Sequence, residues 1–144
     1  MALLTLSLLS SIYNSMFKLA PGAWTVFPWG KGNVSEEELF QNKEFLAFAK
    51  RFTEMLDMAI DMLGPDLELV EEQLTQIGVM HIGFGVMPEH YPLMGEALVE
   101  VLEQKLGKDI FSAKQKMAWQ TTFTFMSTKM LQGAFIELKC RANM

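Results

Sequence analysis

The sequence predicts a single all-α domain, and three observations lead to this fold class. Apolar residues recur at spacings of three and four in almost every segment, which is the period of a helix and not of a strand. Glycine and proline divide the chain into segments of helical length. Two patterns, Ser35 with Glu38 and Ser112 with Gln115, match the capping box that begins a helix. The 144 residues are enough for one domain, 1–144.

The first predicted helix covers residues 3–18. Pro21 restricts the residue before it, so this helix should stop near Ala20. The apolar opening has no basic residue before it and contains Thr, Ser and Asn, which argues against a signal peptide or a membrane span. Its buried stripe is predicted to be Leu4, Leu8, Leu9, Ile12, Met16 and Leu19.

A short turn with aromatic residues follows, and two further helices come after it. Ser35 begins a short helical turn, and a long helix then runs from about residue 42 to Gly64 and Pro65. The next helix is predicted over residues 66–80. The expected apolar faces are Phe45, Phe48, Ala49, Phe52, Leu56, Ala59, Ile60 and Leu63 in the long helix, and Val70, Leu74 and Ile77 in the next.

Two helices complete the chain. Pro88 is acceptable in the first turn of a helix that ends before Gly107, and Ser112 begins the last helix. Their predicted apolar faces are Tyr91, Met94, Leu98, Val101, Leu102 and Leu106 in the first, and Trp119, Phe123, Met126, Met130 and Ile136 in the second.

Composition narrows the function classes. Half of the residues are apolar and the net charge is -5 with scattered basic residues, which argues against a nucleic-acid partner. Some of the apolar excess is expected to be covered by a ligand or partner. The single cysteine, Cys140, excludes an internal disulfide and favours a reducing, intracellular compartment.

The chain has two histidines, His81 and His90. His81 continues the apolar stripe at the end of its helix, where a neutral imidazole can bind a metal or haem iron; the alternative is a core histidine bonded to a carbonyl. His90 is expected at the surface. Two histidines and one distant cysteine cannot form a closed zinc site, and Cys140 has no predicted base nearby.

The segment HIGFGVMPEHY at 81–91, followed by GEAL, resembles the proximal-histidine corner of the globin family. LAPGAWTVF at 19–27 resembles the turn in which globins place a proline six residues before the phenylalanine that packs against the haem. The resemblance extends over most of the chain. It implies a three-over-three helical sandwich around haem b with His81 as the iron ligand. The implied slot is lined by Phe27, Phe48, Phe52, Ile77, Val86 and Tyr91.

Several positions depart from the usual family pattern. Phe48 stands where many globins have a ligand-facing histidine or glutamine, and Phe52 where valine or leucine is common; neither can donate a hydrogen bond. Tyr13 lies fourteen residues before Phe27, a position from which family members with a tyrosine can reach bound oxygen through the hydroxyl, and it is the polar candidate that the resemblance implies. Its alternative is a packed ring with a hydroxyl bonded to the backbone. Arg51 is placed to pair with a haem propionate.

The first helix aligns with the second helix of globins, so the fold is expected to be truncated at the N-terminus. The face that the usual first helix covers would then be bare. Bare apolar faces mark interaction sites, which together with twelve methionines predicts a homo-oligomer or a subunit of a larger complex.

The leading hypothesis is a haem globin that reversibly binds a diatomic gas for storage, sensing or scavenging. The sequence shows no reductase domain, so an enzymatic role is not assigned. The alternative is a haem-free or haem-silent globin fold that serves as a structural subunit. A third interpretation, an unrelated helical adaptor, requires the corner motif to be accidental.

Overall fold

A computed structural model describes residues 3–29, 34–62, 64 and 67–144. In these residues the chain forms helices and no strand, which confirms the all-α prediction. The elements are α1 (Leu3–Leu19), a 3₁₀ helix (Pro21–Val26), α2 (Glu36–Gln41), α3 (Lys43–Asp61), α4 (Glu68–Gly83), α5 (His90–Ile110) and α6 (Ala113–Ala142). None of the helices in the described ranges combines the length and apolarity that crossing a bilayer requires.

Local capping determines where α2, α3 and α6 begin. The Ser35 hydroxyl accepts the Glu38 N–H at 3.2 Å, and the Glu38 carboxylate accepts the Ser35 N–H at 2.9 Å. Ser112 and Gln115 form the second predicted box. Asn42 begins α3 by accepting the N–H groups of two residues in its first turn, at 2.9 and 3.0 Å. Each cap satisfies donors that the first turn of a helix leaves without a partner.

The structure corrects several predicted boundaries and faces. Helix α5 begins at His90, after a turn that contains Pro88, and Gly107 lies inside its end with a positive φ of 71°. Ile60, Leu106 and Ile136 were expected in the core but are 49%, 42% and 63% exposed. Ile60 and Ile136 are one and two positions past buried alanines, and each position turns a side chain about 100° around the helix. The long helix was predicted to run to Gly64 and Pro65, but α3 ends at Asp61, with Met62 as its C-cap. Leu63 and Pro65 lie outside the described residues.

The buried apolar residues form two separate clusters. The first joins α1, α2, the start of α3 and the middle of α5. The second joins the end of α3, α4, α6 and Tyr91 at the start of α5. The core is therefore divided, with the N-terminal half of α3 on one side and α4 on the other.

Helix α4 packs on α6 through two glycines. A Cβ on Gly78 would collide with the backbone of Met130, and a Cβ on Gly133 would collide with the backbone of Thr75. Only glycine allows the two backbones to approach this closely. This contact holds the helix that carries His81 against the long C-terminal helix.

Large apolar side chains are exposed where α5 meets α6. They include Leu106, Ile110 and Met117. Such a surface is suited to a partner, but the structure holds one chain. The predicted oligomer or larger complex stays a prediction.

Candidate functional site

His81 lies in the last turn of α4, and its ring orientation is set by the helix that carries it. Its Nδ1 is 2.8 Å from the carbonyl oxygen of Ile77, four residues earlier. A carbonyl only accepts, so Nδ1 carries the hydrogen and donates it. The lone pair of the neutral ring is then on Nε2, the nitrogen that can bind a metal.

The surroundings of His81 favour its neutral form. Burial lowers the pKa of His81, and the hydrogen bond to Ile77 acts in the opposite direction with a smaller effect. The ring lies 6.2 Å from the Tyr91 ring and 5.8 Å from the Phe84 ring, measured between centroids. Since only an unprotonated imidazole binds iron, this environment prepares His81 as a ligand.

A second group of aromatic rings comes from α1, the loop after the 3₁₀ helix, and α3. Phe48 is at its centre, with ring centroids 4.9 Å from Trp29, 5.8 Å from Phe27 and 5.8 Å from Phe52. These rings pack with the first core cluster, whereas His81 and Tyr91 form a ring pair beside the second. In the ranges that the structure describes, no ring pair joins the two groups. The site therefore has two aromatic walls, one on each part of the divided core.

Two polar atoms are buried in the first wall. Tyr13 is only 4% exposed, and burial raises its pKa to about 12, against a smaller opposite effect of the Trp29 indole N–H. Neither the Tyr13 hydroxyl nor Trp29 Nε1 has a partner at hydrogen-bond geometry among the residues that the structure describes. Buried polar atoms are nearly always paired, and exceptions are frequent at binding sites. A ligand that accepts hydrogen bonds would complete this wall.

The structure divides the residues that the sequence predicts for the site between the two clusters. Phe27, Phe48 and Phe52 contribute to the first wall. Ile77, Val86 and Tyr91 belong to the second cluster, beside His81. The Val86 N–H also bonds the His81 carbonyl at 3.1 Å, which ties the corner to α4.

Arg51, predicted for the site, and His90, predicted as a bystander, belong to neither wall. Arg51 is exposed on α3. His90 was expected at the surface as a bystander, but it is partly buried, and its Nδ1 accepts the Met87 N–H at 3.0 Å. That bond organises the turn before α5, so His90 is already engaged away from His81.

Sequence reasoning missed Trp29 as a site residue. The signal that could have found it is its place two residues after Phe27, just past the segment 19–27 that carries the resemblance. A tryptophan there contributes both a large ring and one N–H donor.

The donor set fits a haem better than a bare ion. Within the described ranges, no three His, Cys, Asp or Glu side chains gather into a group that could hold a metal ion. A single neutral imidazole between apolar walls can hold an iron whose other in-plane ligands come from a porphyrin. The residues present therefore fit haem.

Comparison with known proteins finds relatives in sequence and in fold. The chain is 26% identical over 122 residues to a neuroglobin of Danio rerio, covering 85% of the chain and 76% of that protein. It is 25% identical over the same length to a neuroglobin of Tetraodon nigroviridis, with the same coverage.

Two solved structures share the fold. One is a hexa-coordinate haemoglobin of Drosophila melanogaster described for its cyanide binding, with a TM-score of 0.69, 24% identity, and 91% of this chain and 94% of that one covered. The other is a Drosophila melanogaster globin with a TM-score of 0.70, 23% identity, and 92% and 94% covered. This likeness confirms the predicted globin fold.

The globin family model matches residues 10–130. That match covers most of the chain, including both aromatic walls and the corner that follows His81. The chain therefore belongs to the globin family.

Proposed function

We propose that this globin binds haem b through His81 and reversibly binds a diatomic gas between its two aromatic walls. The observation that carries the proposal is the partly buried imidazole of His81, whose pKa is lowered by burial and whose Nδ1 lies 2.8 Å from the Ile77 carbonyl oxygen. When bound through His81, the haem would supply an iron that can take a gas molecule.

His81 would hold the iron in a fixed orientation. The Nδ1–H bond to Ile77 selects the tautomer, limits rotation of the ring and increases the basicity of Nε2. The glycine contact between α4 and α6 holds the helix itself in place. A ligand that is held in this way binds without the loss of side-chain freedom that a mobile histidine would suffer.

The aromatic and aliphatic walls would enclose the porphyrin and exclude water. Phe27, Phe48 and Phe52 offer ring faces on one side, and Ile77, Val86 and Tyr91 offer apolar surface on the other. Burial of apolar area is worth about 25 cal/mol per Å², so a flat macrocycle gains most of its affinity from these walls. Arg51 can pair with a propionate, but an exposed pair of this kind contributes only about 0–1 kcal/mol.

Tyr13 would contact the gas. Phe48 and Phe52 have no donor, whereas the Tyr13 hydroxyl is buried in the same wall, without a hydrogen-bond partner in the described part of the chain. Its hydrogen can be donated to a ligand that accepts one, which slows the departure of that ligand. Storage, sensing and scavenging differ in the dissociation rate they need, and Tyr13 is the residue that sets this rate.

The test is haem binding by variants of the two histidines. Purified protein should show a Soret band, His81→Ala should lose it, and the matched control His90→Ala should keep it because His90 bonds the Met87 N–H away from His81. Far-UV circular dichroism checks that each variant is folded. Added imidazole should restore the band in His81→Gly, which separates loss of the ligand from loss of the fold.

Two results would contradict the proposal. One is a folded, colourless protein that develops no Soret band after hemin is added. The other is a His81→Ala variant with an unchanged band, since the iron would then be bound elsewhere.

A further inference from the structure

We propose that Trp29 is a positioning residue, which donates its indole N–H to the Tyr13 oxygen and so directs the Tyr13 hydroxyl hydrogen toward the gas ligand. The inference rests on the proposed function and deepens it. It assigns to Trp29 a role in choosing ligands that accept hydrogen bonds, such as oxygen, over weak acceptors, such as carbon monoxide.

The first support is the packing of the indole. Its ring centroid lies 5.1 Å from Phe27, 5.8 Å from Phe45 and 4.9 Å from Phe48. The Tyr13 ring is 5.9 Å away, with the two ring planes 37° apart. An indole with this many aromatic neighbours has few orientations, so the direction of its N–H is set by the wall.

The second support is the inventory of acceptors around that N–H. An indole nitrogen can only donate, and the phenylalanine rings that surround it carry no polar acceptor. The Tyr13 hydroxyl oxygen is the polar atom of the neighbouring side chain. Both Trp29 Nε1 and the Tyr13 hydroxyl are buried, and neither has a partner at hydrogen-bond geometry among the described residues, while the Trp29 indole N–H lowers the pKa of Tyr13. The Trp29 N–H is therefore a donor that needs an acceptor, and the Tyr13 oxygen can accept its hydrogen bond.

The consequence follows from the chemistry of a hydroxyl group. Tyr13 has one hydrogen to donate and two lone pairs that can accept. When the indole N–H occupies the oxygen from one side, the hydroxyl hydrogen must point to the other side. A donor on the oxygen also polarises the O–H bond, which strengthens the bond that this hydrogen makes by roughly 10–30%.

The selectivity between gas ligands then depends on Tyr13 and Trp29 together. A ligand whose outer atom accepts a hydrogen bond gains from the oriented hydroxyl, whereas a poor acceptor gains little. Phe48 and Phe52 contribute shape but no donor, so the discrimination depends on Tyr13 and on the residue that orients it.

The test compares Trp29→Phe with the matched control Trp119→Phe in the full chain loaded with haem. Trp119, on α6, packs on the first core cluster. Trp29 is the tryptophan whose ring lies 5.9 Å from the Tyr13 ring. We expect oxygen to dissociate about three- to tenfold faster from Trp29→Phe, as for the loss of one hydrogen bond. Carbon monoxide dissociation should change less than about twofold, and Trp119→Phe should match the wild type for both gases.

A double variant distinguishes positioning from simple packing. If Trp29 acts through Tyr13, then Tyr13→Phe combined with Trp29→Phe should release oxygen no faster than Tyr13→Phe alone. Effects that multiply would show that Trp29 acts independently, and this would overturn the inference.

If Trp29→Phe fails to fold, nuclear magnetic resonance of the chain that keeps Trp29 tests the inference instead. The chain has three tryptophans, so the Trp29 indole N–H resonance can be assigned by elimination from Trp24→Phe and Trp119→Phe. The carbon monoxide and oxygen complexes of ferrous haem are both diamagnetic, so replacing carbon monoxide by oxygen should shift this resonance in the chain that keeps Tyr13, and should leave it nearly unchanged in Tyr13→Phe.

The outcomes separate this inference from the proposed function. A wild-type chain without a Soret band contradicts haem binding itself. A normal Soret band together with unchanged oxygen dissociation in Trp29→Phe, or a Trp29 resonance that does not respond to oxygen, contradicts the role of Trp29 alone.

Discussion

The contact between α4 and α6 makes a sharp prediction for Gly78→Ala. The new Cβ would lie 2.7 Å from Met130 Cα and still closer to the Met130 carbonyl, whereas ordinary contacts of a Cβ begin at 3.4 Å. These are backbone atoms of a long helix, so they cannot rotate aside as a side chain would. Helix α4 must therefore move away from α6.

The size of the effect follows from that displacement. A shift of at least about 0.7 Å forfeits a quarter to a half of the dispersion energy between atoms that were in contact. Overpacking of this kind typically costs about 1–3 kcal/mol, and the better helix propensity of alanine returns up to about 1 kcal/mol. We expect a net loss of about 2 kcal/mol in the free energy of unfolding, or roughly 4–8 °C in Tm.

The matched control lies in the same helix. A methyl group on Gly83 would have no atom of the described residues within 4 Å, so Gly83→Ala should leave stability unchanged or raise it by up to about 1 kcal/mol. Urea unfolding followed by far-UV circular dichroism measures both variants in the same haem state. Equal stability of Gly78→Ala and Gly83→Ala would refute the close approach of α4 and α6.

Three further predictions concern single side chains. Ser112→Ala removes the cap of α6 and should lower the free energy of unfolding by about 1 kcal/mol in thermal melts; an unchanged Tm would mean that the box is not stabilising. Tyr13→Phe removes the oxygen to which the Trp29 N–H is proposed to donate and leaves that buried donor unpaired, so the haem-free protein should lose about 1 kcal/mol of stability in urea while the loaded protein releases oxygen faster; a gain in stability would contradict the bond between Trp29 and Tyr13. Because burial depresses the pKa of His81 in the folded state, the unfolded chain takes up this proton first. The stability of the haem-free protein should therefore be level above about pH 6.5 and fall as the pH drops from there through the folded pKa. Urea midpoints at pH 7.5 and 5.5 test this prediction. The pKa values of Glu36 and Glu103 are lowered from 4.5, so these two groups do not titrate between those pH values. The His81→Gln variant should show a smaller difference between the two midpoints than the wild type.

Features that depend on neighbours along the chain were predictable from sequence. The capping boxes at Ser35 and Ser112 involve residues three positions apart, and both form as predicted. His81 continues the stripe of Val70, Leu74 and Ile77 because a helix repeats its face every three or four residues, and those three residues are buried. The resemblance over the corner after His81 added the family, which the match over residues 10–130 shows.

The sequence by itself thus determined the helices, their caps and the position of the candidate iron ligand, because each is a short-range consequence of residue order. Only the tertiary structure decided which side chains meet. It brings Trp29, in the loop after the 3₁₀ helix, beside Tyr13 of α1. It also places Gly78 of α4 against the backbone of α6. It also leaves Ile60 and Ile136 exposed although their spacing resembles that of core residues. Such contacts depend on the distance and rotation between helices that are far apart in sequence, and the apolar period of one helix carries no information on either.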